Sequence, residues 1–583
     1  MHIWRWLRTR SLWVGSIRRF NDRFDVARRC CSNCRHRTHR RMRSRNFPWS
    51  FLTSLFRSYR RRSRHFRRSN RYRFQRLSLD DDLLSNRLGR KHPNHINISC
   101  SFLEFLIRSV AMQKFWNGTV RWLIALIAFA IPIEHKYDKP FRFFSKSLIP
   151  EGLNLPFWFD KKIHFYPSDI IVILILGISI FALRLEVRKW FLEKCAPFLF
   201  LIAAIAILSI ANSSLYNYPI PYFRVWQLLT AFTLFAIIAS QSNEERDKTF
   251  KLVMLAFVCM GTIQALFGII QYFNQAPIGL HWLEEPRFVR SRMHPYIPSN
   301  DFTRWMIDSW LGIKCDENFL VRATGTLPHP NVLAGYLFMT SMTTVYLASD
   351  GKSLHKLLLK LFAFIQFFGL IITYSRAGLF AFFISLTLWF FISIKEKLNR
   401  KVIKMNSYVF ISFIAIAFLF QNQIISRGGI VNYNKISKNS DKERLTYQNY
   451  AFNMISDKPL TGVGYGQFTY QLPKYLPDLS DPEDFRTGTH NIYLLIASEM
   501  GLIALASFCA FIGIMLWKGF RNITSPQALL FSIFFSFLFI GGCDFYLILF
   551  QQGRLMFFII AGFLASYIHW NTLSIERRHV EAS

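Results

Sequence analysis

The sequence predicts an all-α polytopic membrane protein with about twelve transmembrane helices and one large loop between spans 9 and 10. Of its 583 residues, 51% are hydrophobic and 17% aromatic. The apolar residues come in blocks of about 17 to 27 with few charges, the length that crosses a bilayer as a helix. The short loops between these blocks alternate in Lys and Arg content, which sets orientation. A soluble chain of this length would instead divide into several domains.

Twelve candidate spans follow Met112. With the Met112 end inside, short inner loops such as "QSNEERDKTFK" and "KEKLNRKVIK" are basic, whereas the short outer loop "NSSLYNYPIP" has no Lys or Arg. Three long segments, 134–167, 274–330 and 422–490, are then outside. The predicted spans lie near 117–133, 168–184, 195–211, 222–240, 250–273, 331–348, 356–374, 377–394, 405–421, 491–517, 527–545 and 553–570.

These spans divide the chain into four parts. Residues 112–421 carry spans 1–9, residues 422–490 form the large loop, and residues 491–583 carry spans 10–12 and a tail. Residues 1–111 differ in composition, with 27 Arg, one Lys and six acidic residues. Such a segment has little to bury and is predicted to be disordered. It could be a basic arm that binds nucleic acid or anionic lipid. We favour the hypothesis that translation starts at Met112, and expect no nucleic-acid partner.

The large loop contains a predicted helix, "SDKERLTYQNYAFNMISDKP". Ser440 and Glu443 have the spacing of a capping box, and Pro459 ends the helix. The apolar positions of this helix are Leu445, Phe452 and Ile455. The glycine-rich stretch "GVGYGQF" follows.

Four polar motifs are assigned to the outer side: "RATGTLPHPN" (322–331), "TYSRAG" (373–378), "ERLTYQNY" with "GVGYG" (443–466), and "GTHN" (488–491). Three of them directly precede spans that begin at the outer surface. A helix start presents free N–H groups and a partial positive charge, which suit phosphate. Arg322, Arg376 and Arg444 add guanidinium groups that match phosphate oxygens. The pattern predicts an outward-facing pocket for an anionic, phosphate-bearing lipid head group.

Each motif also has a purely structural interpretation. Arg376 could anchor the chain at the membrane interface by snorkelling, and Arg444 could lie on a solvated helix face. "GVGYG" could be only a tight turn, Asn331 a helix cap, and His490 an interfacial hydrogen-bonding residue. The assignment of all four motifs to one side favours the functional interpretation.

His490 is the candidate general base. A helix N-terminus favours the neutral imidazole, which can accept a proton from a hydroxyl. Glu499 lies nine residues further on, about 900° around the helix, and so on the opposite face. We therefore expect Glu499 to take part in helix packing rather than to pair with His490. No acidic pair has metal-binding spacing in an outer loop, so no metal or cofactor is predicted, and arginines are expected to stabilise the leaving group.

The motifs "RATGTLPHPNVLAGY", "TYSRAG", "ERLTYQNYAFNMISDKPLTGVGYGQF" and "THNIYLLIASEMGL" resemble those of the O-antigen ligase/polymerase family of bacterial inner-membrane enzymes. The resemblance implies a GT-C-like glycosyltransferase that takes a glycan from an undecaprenyl-diphosphate carrier at the periplasmic face, without metal. It implies that Arg376 and Arg444 hold the diphosphate and that His490 is the base. The residues predicted to bind substrate are Arg322, Asn331, Gly462, Gly464, Tyr465 and Asn491.

Three acceptors are compatible with this resemblance: a lipid A core sugar (ligase), the next repeat unit (polymerase), or a protein Ser or Thr (O-oligosaccharyltransferase). We favour ligation to the lipid A core. A small-anion transporter is a more distant alternative, since it would place polar breaks at mid-span and show internal repeats, and the sequence has neither feature.

Overall fold

A computed structural model describes residues 94–133, 166–182, 195–213, 219–280, 283, 285–286, 296–298, 319–350, 353–396, 404, 407–411, 435–475, 488–521 and 523–582. The chain divides into two compact units, 1–103 and 104–583. Of the first unit only the beginning of one helix is described, and that helix begins at Asn94, ahead of Met112. The account below concerns the second unit. The remainder of the predicted leader lies outside the described residues.

The described elements are fourteen α-helices and two short strands. They are α1 Asn94–Ala130, α2 Pro167–Gly177, α3 Ala196–Ser209, α4 Pro219–Ala239, α5 Asn243–Asn274, β1 Tyr296–Pro298, β2 Phe319–Val321, α6 Pro330–Asp350, α7 Ser353–Ile371, α8 Arg376–Lys395, α9 Lys435–Asp457, α10 Phe468–Tyr475, α11 Ile492–Gly519, α12 Ser525–Cys543, α13 Tyr546–Leu549 and α14 Gln551–Ala582. The strands pair antiparallel, with Ile297 opposite Leu320. This ribbon is an addition to the all-α prediction.

The helical, multi-pass prediction is confirmed in outline. Among the described residues seven helices are long and apolar enough to cross a membrane: Met112–Ile133, Pro221–Ala239, Asn243–Asn274, Pro330–Ser349, Arg376–Lys395, Ile492–Gly519 and Ser525–Cys543. Two shorter apolar helices are Pro167–Ile180 and Ala196–Asn212. All nine coincide with predicted spans, and the predicted spans 356–374 and 553–570 lie in α7 and α14. Only residues 407–411 of predicted span 405–421 are described, so the count of twelve stays a prediction.

Local sequence explains where several helices begin. Proline is the first residue of α2, α4 and α6, a position where its missing N–H costs nothing and its fixed φ suits the helix. The Ser375 side chain accepts a hydrogen bond from the Gly378 amide at the start of α8, at 3.4 Å. A Cβ at Gly378 would lie 2.5 Å from that of Ala334. Glycine in "SRAG" therefore lets α8 pack closely on α6.

The bundle is built around a large apolar core. Helix α6 packs against α5, α7 and α8, while α4 packs along α14 and α8 along α12. Trp389 and Phe338 are among the largest side chains that are fully buried in this core. A smaller apolar cluster joins α9 and α10 to α11. The segment that carries the polar loop motifs is thus fixed to the bundle by its own core.

Helix α9 corrects two details of the sequence prediction. It begins at Lys435, so Ser440 and Glu443 lie inside the helix rather than at its start. Its apolar positions Leu445 and Phe452 are exposed. The buried face of α9 instead consists of Tyr447, Ala451 and Met454. Sequence spacing identified the helix, but tertiary packing selected a different face.

Candidate functional site

Four helix ends meet at one end of the bundle, which we call the site end. Helices α6, α8 and α11 begin there, at Pro330, Arg376 and Ile492, and α12 ends there at Cys543. Side-chain hydrogen bonds between these ends connect three of the four predicted motifs. The bonds bring together residues that are more than 200 positions apart in the sequence.

Helix α11 starts with the predicted His-Asn pair. The Asn491 side chain caps the helix, because its Oδ1 accepts hydrogen bonds from the amides of Tyr493 (2.9 Å) and Leu494 (3.1 Å). Its Nδ2 donates to the Gly542 carbonyl at the end of α12, at 3.3 Å. Asn491 therefore fixes the position of His490 relative to α12.

His490 has a φ of 44°, a left-handed conformation that is strained for a residue other than glycine. Such strain persists only where the surroundings enforce it, and it is common at functional sites. The imidazole packs beside the Phe545 ring, with centroids 4.8 Å apart. Its side chain is 20% exposed, and Nδ1 lies 3.7 Å from Oδ1 of Asp544. This distance allows an ion pair but exceeds a hydrogen bond.

Asp544 is the site residue that the sequence analysis missed. Its Oδ2 accepts a hydrogen bond from Nδ2 of Asn331 at 2.8 Å, and its Oδ1 accepts one from the Phe545 amide at 2.8 Å. Burial by itself raises the pKa of this carboxyl, but the neighbouring His490 and the positive charge of Arg444 together outweigh burial and hold the pKa below its usual range. Asp544 is thus a carboxylate that faces the imidazole.

Arg322 and Asn331 form a chain of hydrogen bonds that leads to Asp544. Nη2 of Arg322 donates to Oδ1 of Asn331 at 3.0 Å, and Nε donates to the Thr373 carbonyl at 2.8 Å. Arg322 is only 1% exposed. The guanidinium therefore joins the "RATG" loop to the residues just ahead of "SRAG". Asn331 does not cap α6, since its own amide donates to Nδ1 of His329 at 3.1 Å.

Arg376 and Arg444 approach the same place from two other helices. Both guanidinium groups lie within electrostatic range of Cys543, the residue before Asp544. Both side chains are half-buried. Nε of Arg444 is buried without a hydrogen-bonding partner among the described residues. The site end therefore combines His490 and Asp544 with two partly accessible positive charges.

The glycine-rich loop 462–466 is packed against α11. The amides of Val463 and Gly464 donate to the carbonyls of Ser498 (2.9 Å) and Glu499 (3.0 Å). The Tyr465 amide donates to the Ser209 hydroxyl at 3.0 Å. Since these amides are already paired within the protein, the loop does not offer them to a phosphate. Gly462, Gly464 and Tyr465 therefore shape the wall of the site end.

Glu499 holds this loop through its side chain. Its two carboxylate oxygens accept hydrogen bonds from the amides of Gly466 and Phe468, each at 3.0 Å. Gly462 has a φ of 66°, and a Cβ there would lie 2.2 Å from the Glu499 carbonyl carbon. Asp544 supplies the carboxylate that faces His490, whereas the Glu499 carboxylate binds backbone amides of the loop and of α10. This contact agrees with the packing role expected from helical phase.

No group of three or more His, Cys, Asp or Glu side chains in the described part of the chain is placed to hold a metal ion. The positive charge at the site end comes from arginine side chains. Their planar, permanently charged guanidinium groups suit phosphate oxygens. The site end therefore combines arginine side chains with a histidine that lies beside a carboxylate.

A family model described as O-antigen ligase matches residues 361–509. Residues 361–509 are therefore similar to an O-antigen ligase domain. This finding confirms the family resemblance and indicates a membrane enzyme of the ligase/polymerase type, whose members are glycosyltransferase-like. A search of curated proteins finds no match to the chain.

The O-antigen ligase domain contains Arg376, Arg444 and His490, whereas Arg322 and Asp544 lie outside the matched residues. The structure connects Arg322 to the site end by hydrogen bonds and places Asp544 beside His490. A signal for Asp544 was present in the sequence, because it ends the apolar run "LLFSIFFSFLFIGGCD". An ionisable residue at such a position is expensive and marks a candidate functional site. Asp544 was included in predicted span 527–545 and was therefore not singled out.

Proposed function

We propose that the chain transfers a glycan from an undecaprenyl-diphosphate carrier to an acceptor hydroxyl, and that the acceptor is a lipid A core sugar. The site end would face the periplasm from a bacterial inner membrane. The observation that carries the proposal is the position of His490, held between Asp544 and Phe545. Arg376 and Arg444 supply positive charge beside it. The O-antigen ligase domain is consistent with this reaction class.

In the proposed reaction the acceptor hydroxyl gives its proton to Nε2 of His490 while its oxygen attacks the anomeric carbon of the donor sugar. The bond between that carbon and the diphosphate oxygen breaks, and the electron pair leaves with undecaprenyl diphosphate. Arg376 and Arg444 stabilise the developing negative charge. The imidazolium then loses its proton to water. Atoms and charge balance without a co-reactant.

Asp544 has two effects on this proton transfer. With Nδ1 facing the carboxylate, Nε2 is the nitrogen directed to the acceptor. The carboxylate also stabilises the imidazolium that forms, 3.7 Å away. The start of α11 favours the neutral imidazole before the reaction, and Asp544 favours the charged form during it. A general base requires both states to be accessible.

Arg322 and Asn331 are assigned a positioning role. Arg322 is buried and bonded to protein groups, so it acts through Asn331 rather than on the donor. Asn331 in turn orients the Asp544 carboxylate. The glycine loop and Glu499 support the wall behind α11.

Donor binding can be tested through Cys543, a half-buried thiol near both arginines. Undecaprenyl-diphosphate-linked glycan should slow its reaction with N-ethylmaleimide in proteoliposomes, because the donor would cover the thiol. A cysteine introduced at Lys474, an exposed residue of α10, is the control and should react equally with or without donor. Equal labelling of Cys543 in both conditions would contradict a donor site at this place.

The acceptor can be identified by deleting the gene and analysing surface glycans. A ligase predicts lipopolysaccharide without long glycan and an accumulation of lipid-linked polymer. Single repeat units on the lipid A core would identify a polymerase, and a defect confined to glycoproteins an O-oligosaccharyltransferase. Purified protein should keep its transfer rate in EDTA. Loss of transfer in EDTA with recovery on adding a divalent metal would contradict the metal-independent reaction.

A further inference from the structure

Helix α9 exposes large apolar side chains although it lies outside the candidate spans. Phe452 is 54% exposed and Leu460, in the turn after the helix, is 62% exposed. The opposite face of α9 is buried against α11 through Tyr447, Ala451 and Met454. The helix therefore packs on the bundle by one face, while its exposed face carries Phe452 beside the polar residues Asn449, Asn453 and Asp457.

The neighbouring helix α11 provides a scale for depth in the membrane. Its continuous part runs 18 residues from Leu502 to Gly519, because Gly501 has non-helical backbone angles, and it spans about 27 Å at ~1.5 Å per residue, close to the ~30 Å of a hydrocarbon core. Trp517 is exposed beside Lys518 and Arg521, whose cations lie over its ring, an arrangement typical of a membrane interface. If Lys518 marks one boundary, the other boundary lies about 30 Å away and so a few ångström beyond Leu502, where the continuous helix begins.

The lipid-facing stripe of α11 ends close to that second boundary. Its exposed residues follow helical spacing from Trp517 back to Ile503 and Leu502. From Leu495 to Gly501 every residue is buried. The outer surface at that level is therefore provided by another part of the chain.

The end of α9 and the turn that follows it form the outer surface at this level. The Leu502 amide donates to the Pro459 carbonyl at 2.7 Å. Gly501 has a φ of 85°, and a Cβ there would lie 2.2 Å from the Leu460 carbonyl oxygen. Leu460 is thus level with Leu502, about 24 Å along the helix from Lys518 and so inside the hydrocarbon core. The apolar stripe of α11 continues onto Leu460.

We propose that the exposed side chains of Phe452, near the end of α9, and Leu460, in the turn after it, contact the acyl chains of the membrane near its boundary, where the exposed Asp457 between them reaches the head groups. The loop 422–490 is then partly an interfacial element rather than a wholly aqueous one.

The test is nitroxide accessibility in proteoliposomes of phosphatidylethanolamine and phosphatidylglycerol, using full-length protein with its native cysteines replaced. Labels are placed at Phe452 and Leu460, with Ile503 as the lipid-facing reference and exposed Lys442 as the aqueous reference. We expect the labels at 452 and 460 to collide with oxygen as often as the label at 503 and rarely with a water-soluble nickel complex. Nickel accessibility like that at 442, or low accessibility to both reagents, would overturn the proposal.

A second measurement tests the same lipid contact without replacing the native cysteines, in case the cysteine-free protein does not fold. A benzophenone amino acid at Phe452 in the otherwise native chain should form phospholipid adducts on irradiation, detected by mass spectrometry, and one at Lys442 should not. Absence of lipid adducts at Phe452 would contradict membrane contact. Both measurements report lipid contact without reference to glycan transfer, so failure of the proposed function leaves them interpretable.

Discussion

Replacing Asp544 with asparagine removes one charge with almost no change of shape. In the wild-type protein the carboxylate lies 3.7 Å from Nδ1 of His490. A unit ion pair at 3.7 Å is worth about 4.5 kcal/mol with an effective dielectric constant of about 20. If that stabilisation is present only once the imidazole is protonated, its loss slows transfer about a thousandfold.

A change in hydrogen bonding is a second cause of slower transfer in Asp544→Asn. Asn331 must keep its oxygen toward Arg322, so its Nδ2 needs an acceptor at position 544. The asparagine oxygen can satisfy Asn331 only if its amide group faces His490, which leaves the Phe545 N–H without its acceptor. At 3.7 Å the amide makes no hydrogen bond to Nδ1, but its positive end favours an unprotonated Nδ1 and a proton on Nε2, the nitrogen that should accept from the acceptor. The wrong tautomer further reduces the rate.

The assay is initial-rate transfer by purified protein in proteoliposomes, with donor and acceptor both varied. We expect kcat to fall about a thousandfold or more in Asp544→Asn while KM for the donor changes little. Asp457→Asn is the matched control, because Asp457 is an exposed carboxylate of α9 that bonds the Tyr475 hydroxyl, and its kcat should stay within about twofold. A kcat for Asp544→Asn within tenfold of wild type would refute the proposed role of the carboxylate.

Three further predictions concern stability and are measured as thermal unfolding in detergent. Gly462→Ala should lower Tm, because its Cβ would lie 2.2 Å from the Glu499 backbone at a φ of 66°, whereas Gly513→Ala, with nothing within 4 Å, should not; equal Tm values would contradict the close packing. Glu499→Gln should lower the free energy of unfolding by about 2 kcal/mol, because one of the two loop amides bonded at 3.0 Å loses its acceptor. An unchanged Tm would exclude a stabilising role of the Glu499 carboxylate. Because the folded pKa of Asp544 is lowered, its ionised form stabilises the fold above the unfolded value of about 3.9, and this stabilisation is lost as pH falls from there through the folded pKa; the Tm difference between wild type and Asp544→Asn should therefore be smaller at pH 2 than at pH 5, and an equal difference at the two pH values would contradict this.

The sequence was sufficient to predict the helices because each apolar block had both the length and the flanking residues of a span. Proline and cap residues marked most helix starts, as Pro330 and Ser375 illustrate. The buried face of α9 was not predictable in this way. Tyr447 and Met454 are buried there and Phe452 is exposed, because the partner surface on α11 and the surrounding medium decide which apolar residue is covered.

The candidate site was predicted in part. His490 and Arg376 stood in motifs at helix starts and Arg444 in a motif inside α9, and a topology that puts all three on one side was enough to expect them together. Asp544 was missed because it follows an apolar run without any motif of its own. The inward orientation of Arg322 depends on a hydrogen bond to the Thr373 carbonyl, a contact that no local pattern encodes.

The measurement that tests the central claim most directly is transfer by purified His490→Ala protein. Wild-type protein or a variant is combined with undecaprenyl-diphosphate-linked glycan and lipid A core in proteoliposomes. Both the glycosylated lipid A core and the released undecaprenyl diphosphate are quantified for each protein. His355→Ala, an exposed histidine near the start of α7, is the matched control. We predict that His355→Ala transfers at the wild-type rate and that His490→Ala forms neither product above background. Transfer by His490→Ala at a rate within tenfold of wild type would contradict the role of His490 as the base.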